Sequence, residues 1–289
     1  PPGDPAALAR AVARLAAVGD PVRTGGAWRG WAVLLTEALH ADGRPPPQLH
    51  ILAVNGACMA DIEHGQLPGA LQLQPGLASV VAGVNDTLRA GFDPAQFAAT
   101  ATRTVGALRD SGATVLTMRL PDPGQMLGVP GVLARPLGRR AHQINLVMDG
   151  LADRFGTVHF DAAGDAETYE PRMWAADRLH PSERGHRLIA RRYHGLLASA
   201  GHPVGPPPGA EPVNPPPTRA AELAWLATKG TAWVLRRSTD LVPSLLAMAV
   251  AEWRTGPGPG SSPGPTVAHR HPAVSHPAVS HPAVNHPPG

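Results

Sequence analysis

The chain has 289 residues, of which Pro (34) and Gly (32) form nearly a quarter, about twice their usual share. A single cysteine, Cys58, excludes an intramolecular disulfide framework and a cysteine-based zinc site. The formal net charge is only +3, and the basic pairs Arg139-Arg140, Arg191-Arg192 and Arg236-Arg237 read as solvated helix surface, so no nucleic-acid partner is expected.

Residues 1–18 are rich in Ala and Arg with two isolated leucines, and read as closer to a helix than to a buried strand. No charged start precedes an apolar core and a small-residue cleavage site, so no secretion signal is expected and a cytoplasmic location is the default. Trp31, Leu34, Leu35, Ala38 and Leu39 then form a helical apolar stripe. Residues 50–54 make a short apolar run ending in Asn55-Gly56, which suits a buried strand and a turn. Residues 77–82 make a second run, ending at Gly83.

Asp93-Pro94-Ala95-Gln96 joins a helix cap, a first-turn proline and a capping-box glutamine, and Phe97, Ala101, Val105 and Leu108 share one face of the helix that follows. Residues 114–120 predict a third strand, the stripe Ile144, Val147, Met148, Leu151 and Phe155 another helix, and residues 158–161 a fourth strand. Ile189, Tyr193, Leu196 and Leu197 stripe a last helix after Pro181.

Beyond it the composition changes. Residues 201–217 hold too much Pro for a helix or a central strand and read as a linker. Residues 218–254 predict a small helical extension with three of the six Trp residues, Trp225, Trp233 and Trp253. Beside Arg236-Arg237 these suit contact with a membrane surface or a protein partner. Residues 255–289 end in His-Pro-Ala-Val pentads and predict disorder. The evenly spaced histidines of that tail offer no fixed ligand geometry, and neither a metal nor another cofactor is expected.

Strands alternating with helices imply crossover connections, a parallel sheet and helices on both faces, over residues 19–200. In such a sheet a site forms beyond the carboxyl ends of the strands. Those positions hold Asn55-Gly56, then Gly83-Val84-Asn85-Asp86, and before the last helix Asp177-Arg178-Leu179-His180-Pro181. A glycine lets a backbone N–H approach a ligand closely, and an asparagine amide can donate to a developing oxyanion. An aspartate three residues before a histidine can accept from Nδ1–H and leave the other ring nitrogen as a general base.

These blocks, in this order, resemble the SGNH hydrolases, also called GDSL-type esterases or lipases, from about Gly19 to Leu197. The resemblance implies a flavodoxin-like three-layer α/β/α domain with a five-stranded parallel sheet, and hydrolysis of a small-molecule or lipid ester through an acyl-enzyme. It implies Gly56 and Asn85 as oxyanion-hole donors, His180 as general base, Asp177 as the residue orienting it, and Asp86 as a structural partner.

One block departs from the pattern. The family carries its nucleophilic serine in a Gly-Asp-Ser motif directly after the first strand, whereas this chain has no serine before Ser79. If Gly19-Asp20-Pro21 matches the last letters of a longer G-D-S-x-x-x-G-x-G-D-P motif, the nucleophile position falls at Ala13. Thr24 and Cys58 are poor substitutes: Thr24 stands in the following loop and Cys58 among the expected oxyanion donors. Two explanations stand, a displaced or frameshifted start upstream of Gly19 and a non-catalytic binding protein on the same fold.

Overall fold

The computed structural model describes residues 14–19, 30–40, 47–89, 91–128, 131–175, 178–214 and 250. The helical extension and the tail expected after residue 217 lie outside the described residues except for Val250, and so do Ala13, Asp20, Pro21, Thr24 and Asp177.

The elements run β1 (Arg14–Gly19), α1 (Trp31–Ala38), β2 (Gln48–Ile51), α2 (Met59–Asp61), a π-helical turn (Ile62–Gln66), α3 (Leu67–Gln72), β3 (Leu77–Val81) and α4 (Val84–Thr87). They continue with α5 (Pro94–Asp110), β4 (Thr114–Arg119), α6 (Pro123–Leu127), α7 (Gly131–Phe155), β5 (Val158–Asp161) and two 3₁₀ turns (Ala166–Tyr169 and Pro171–Met173). α8 (Glu183–Ser199) is the last. The five strands are parallel in the order β2-β1-β3-β4-β5, the flavodoxin-like doubly wound arrangement.

The sheet carries two cores because its strands are buried on both sides. On one face Leu77, Leu116 and Phe160 pack with Trp31, Leu35 and Tyr193 of α1 and α8. On the other, Ala78, Val80 and Val115 pack with Phe97, Val105 and Leu108 of α5 and Ile144 and Met148 of α7. The helical stripes expected from the sequence are the residues that meet the sheet. Asp93 caps α5 as its position requires, accepting the Ala95 N–H at 2.8 Å.

The first strand is where the reading from sequence and the structure part. The stretch that resembles a helix by composition contains β1, which pairs with β2 through Arg14↔Gln48 to Ala17↔Ile51 and with β3 through Leu15↔Leu77 to Gly19↔Val81. Ala-rich sequence has no strong strand preference of its own. A position between two parallel neighbours supplies hydrogen-bond partners on both edges and overrides that local preference. β2 also sits earlier than expected, at 48–51 rather than 50–54, so its carboxyl end leads through residues 52–54 to the Asn55-Gly56 turn.

Candidate active site

The order of the strands reverses between β1 and β3, and a doubly wound sheet opens its crevice at the carboxyl ends of such a pair. The loops that follow β2 and β3 meet at this edge. Gly56 turns with φ 78°, a backbone conformation that side chains rarely adopt and that Gly enters without cost. Asn85, buried in the short α4, donates from Nδ2 to the Ala57 carbonyl at 3.1 Å. The neighbouring Asp86 accepts the Met59 N–H at 3.1 and 3.2 Å. These bonds hold the two expected oxyanion residues, Gly56 and Asn85, on loops that are directly tied together. Asp86 bonds within the loops, the kind of structural partner that the family resemblance implies. Burial pushes its carboxyl pKa up, against the opposing effect of the Met59 N–H.

Cys58 starts α2 in a reciprocal cap, its N–H donating to Asp61 Oδ2 at 2.8 Å. Burial, and then the Asp86 carboxylate, raise the pKa of its thiol. A nucleophilic cysteine needs the thiolate, so this environment works against that role. A cleft of about 150 Å3 opens beside it, lined by Met59, Asp86, Arg89, Phe92 and Phe97 among others. Its outer wall is fastened from α7. Arg140 donates to the Thr87 carbonyl at 2.8 Å and the Arg89 carbonyl at 2.6 Å, and its guanidinium lies 5.4 Å from the centre of the Phe92 ring. Arg139-Arg140 reads as solvated surface in the sequence, but only Arg139 is exposed; Arg140 holds the loop that follows Asp86.

The second corner lies before α8. The loop carrying His180 closes on itself: Ala175 N–H donates to the His180 carbonyl at 2.8 Å, Ser182 N–H to the Met173 carbonyl at 2.8 Å, and Trp174 bridges Pro181. Arg178 takes φ 56° in the bend that leads to His180. His180 itself is half-buried. Ser182 caps α8 by accepting the Gly185 N–H.

Within the first turn of α8, His186 is fully buried and its Nδ1 accepts the Trp31 N–H at 3.2 Å. Burial, reinforced by the nearby His180, pushes the pKa of His186 down to about 3. It therefore serves as a neutral acceptor that ties the start of α8 to the start of α1. α1 follows β1 in the chain, so this bond fixes the helix start that comes after the His180 loop to the helix that comes after the first strand.

Two serine or threonine alternatives fail on geometry. Ser79, the first serine, is 1 % exposed in the middle of β3. A row of hydroxyl, imidazole and carboxylate does occur, with Thr117 Oγ1 2.8 Å from His159 Nδ1 and His159 Nε2 3.1 Å from Asp149. Thr117 is fully buried within β4, however, and cannot meet a substrate. Among the described residues no group of three His, Cys, Asp or Glu is placed to hold a metal ion, and no helix is long and apolar enough to cross a membrane.

The family model of GDSL-like lipases and acylhydrolases matches residues 15–188 of the chain. Solved structures agree in fold. TesA superposes with a TM-score of 0.50 at 22 % identity, over 64 % of this chain and 98 % of that one. Axe2, an acetylxylan esterase from Geobacillus stearothermophilus, superposes with a TM-score of 0.50 at 19 % identity, over 64 % and 93 %. A protein described as a GDSL-like lipase from Parabacteroides merdae ATCC 43184 reaches a TM-score of 0.55 at 14 % identity, over 65 % and 96 %. No curated protein sequence matches the chain.

Proposed function

The chain belongs to the GDSL-like lipase/acylhydrolase family, and from that premise we propose that its site receives an ester carbonyl but lacks the serine needed for efficient hydrolysis. The observation that carries the reading is the Asn85–Ala57 bond, which keeps Asn85 beside the Gly56 turn at the switch point of the sheet. Donors held in this way stabilise charge as it develops on a carbonyl oxygen and cost no reorganisation during the reaction. His180 is the proposed base, and Asp177 the residue that orients it.

The register of β1 bears on the nucleophile. The strand ends at Gly19, so in sequence the residues directly after it are Asp20 and Pro21, and Ala13 precedes it. Gly19-Asp20-Pro21 thus takes the place of Gly-Asp-Ser, with Pro21 instead of serine. Neither Pro nor Ala carries a nucleophilic atom. Losing the serine of a serine-histidine pair costs about 10⁶ in turnover, and the oxyanion donors alone retain roughly 10³ over water. A serine-to-alanine form of Axe2 is itself described as a catalytic mutant. An acetyl ester is the natural first substrate to try, given what that relative acts on.

Hydrolysis of p-nitrophenyl acetate tests both parts. The chain as it stands is expected to be nearly inactive, and Pro21→Ser to raise turnover by about 10³ or more, with the gain removed by His180→Ala. Ala13→Ser, upstream of β1, is expected to change nothing. Turnover by the unaltered chain that needs His180 would overturn the impairment. Failure of every variant to bind or cleave esters would overturn the ester site itself.

A further inference from the structure

The Pro-rich segment after α8 has no regular structure, yet side chains of α8 grip it along its length. Its Gly205 N–H donates to the Ala38 carbonyl at 2.8 Å, and His194 Nε2 donates to the Gly205 carbonyl at 2.8 Å. A Cβ on Gly205 would lie 2.2 Å from the His40 carbonyl oxygen, so only glycine fits there. Arg191 then donates to the Pro208 carbonyl at 2.9 Å and Arg187 to the Gly209 carbonyl at 3.0 Å, and Arg184 pairs with Glu211 at 2.6 Å.

The grip ends at Glu183. Its carboxylate accepts the Val213 N–H at 2.8 Å, the Asn214 N–H at 3.2 Å and Asn214 Nδ2 at 3.0 Å, as well as two donors of Arg187. Positions 183, 187, 191 and 194 fall on one face of α8. Proline lacks an N–H but keeps its carbonyl, so arginine donors and a carboxylate acceptor are what such a segment needs. The segment therefore runs antiparallel to α8, from its last turns back to its first residue. Glu183 is that first residue, and it stands three positions after His180.

We propose that residues 205–214 clamp the first turn of α8, with Glu183 as a positioning residue that sets the orientation of the His180 loop. Glu183 touches no substrate in this scheme; it acts by fixing the helix start from which the loop departs. The consequence for catalysis rests on the role proposed for His180, whereas the clamp itself does not.

The titration of His180 in the full chain, followed by the NMR signal of its ring Cε1–H and assigned with a His180→Gln variant, tests the clamp without requiring activity. Glu183→Gln removes the charge, and Asn214→Pro keeps the charge but removes two clamp donors. Both are expected to move the His180 midpoint by about half a pH unit or more and to change its chemical shift. Unchanged midpoints and shifts in both variants would overturn the proposal. If Glu183→Gln does not fold, Asn214→Pro decides alone. In a Pro21→Ser background the acid limb of kcat/KM is expected to move with the NMR midpoint. An inactive Pro21→Ser chain with a shifted His180 would count against the ester reading only and leave the clamp standing.

Discussion

The two corners of the candidate site are held by different chemistry. Around Gly56 and Asn85 the ties are hydrogen bonds between neighbouring loops, from the Asn85 side-chain amide to the Ala57 carbonyl and from the Met59 N–H to the Asp86 carboxylate, and the half-buried Asp86 has its pKa raised. Around His180 the ties run through a helix start, a network of Arg and Glu pairs and a buried neutral imidazole, His186, whose pKa is lowered. Removing the same water from an acid and from a base disfavours the charged form of each, so the two corners respond to acid with opposite signs. The Gly56–Asn85 corner is tied by hydrogen bonds between loops, and the His180 corner adds Arg–Glu pairs that salt can screen.

The largest expected effect falls on the first corner. In a Pro21→Ser chain, Asn85→Ala should lower kcat for p-nitrophenyl acetate by about 10²–10³, the usual cost of one oxyanion donor. A fall of less than about threefold would remove Asn85 from the oxyanion hole and weaken the contrast between the corners.

Next comes the response of the second corner to acid. The folded pKa of His186 is about 3, below the unfolded value of about 6.5, so its contribution to stability is complete above pH 6.5 and declines as pH falls toward 3. Urea unfolding between pH 7 and pH 3.5 should show a loss on the order of 4 kcal/mol from this group alone. His186→Gln, which retains an acceptor for the Trp31 N–H, should flatten the curve. A slope unchanged in that variant would mean that His186 titrates normally.

Asp86 should act the other way. Its folded pKa is raised, so its contribution is fully present below the unfolded value and is lost as pH rises through the folded one. Asp86→Asn keeps an acceptor for the Met59 N–H and should leave stability at pH 7 within about 1 kcal/mol, while removing the offset that Asp86 provides on acidification. A steeper loss of stability in acid than in the parent chain is the outcome to look for. The smallest effect belongs to the exposed Arg184–Glu211 pair. Arg184→Ala should cost less than about 1 kcal/mol, and that little should vanish in high salt, because exposed pairs are screened.

Much of this molecule was legible before any coordinates. The stripes through Leu35, Phe97, Ile144 and Tyr193 are the faces that meet the sheet, because a helix packed on a sheet must repeat its apolar residues at the helical period. β3 reads as an apolar run because a central parallel strand is buried on both sides. Gly56 and Asn85 were legible by their positions after strands. β1 was hidden because its strand character comes from its two neighbours rather than from its own residues. Arg140 and His186 were hidden for a related reason: nothing local distinguishes an arginine in solvent from one that fastens a loop, or an exposed histidine from one that accepts a buried N–H.

The linear sequence by itself determined the family, the alternation of strands and helices beyond the first strand, and which residue types follow those later strands, since these depend only on periodicity and order. It also determined that no serine stands before residue 79. The tertiary structure alone decided where the first strand lies, and so which residues follow it. It decided that a Pro-rich segment grips α8, and that one histidine of α8 is buried and neutral while another, three residues before the helix, is half-exposed. Pairing between strands, burial and charge environment belong to contacts between distant residues, and no local pattern encodes them.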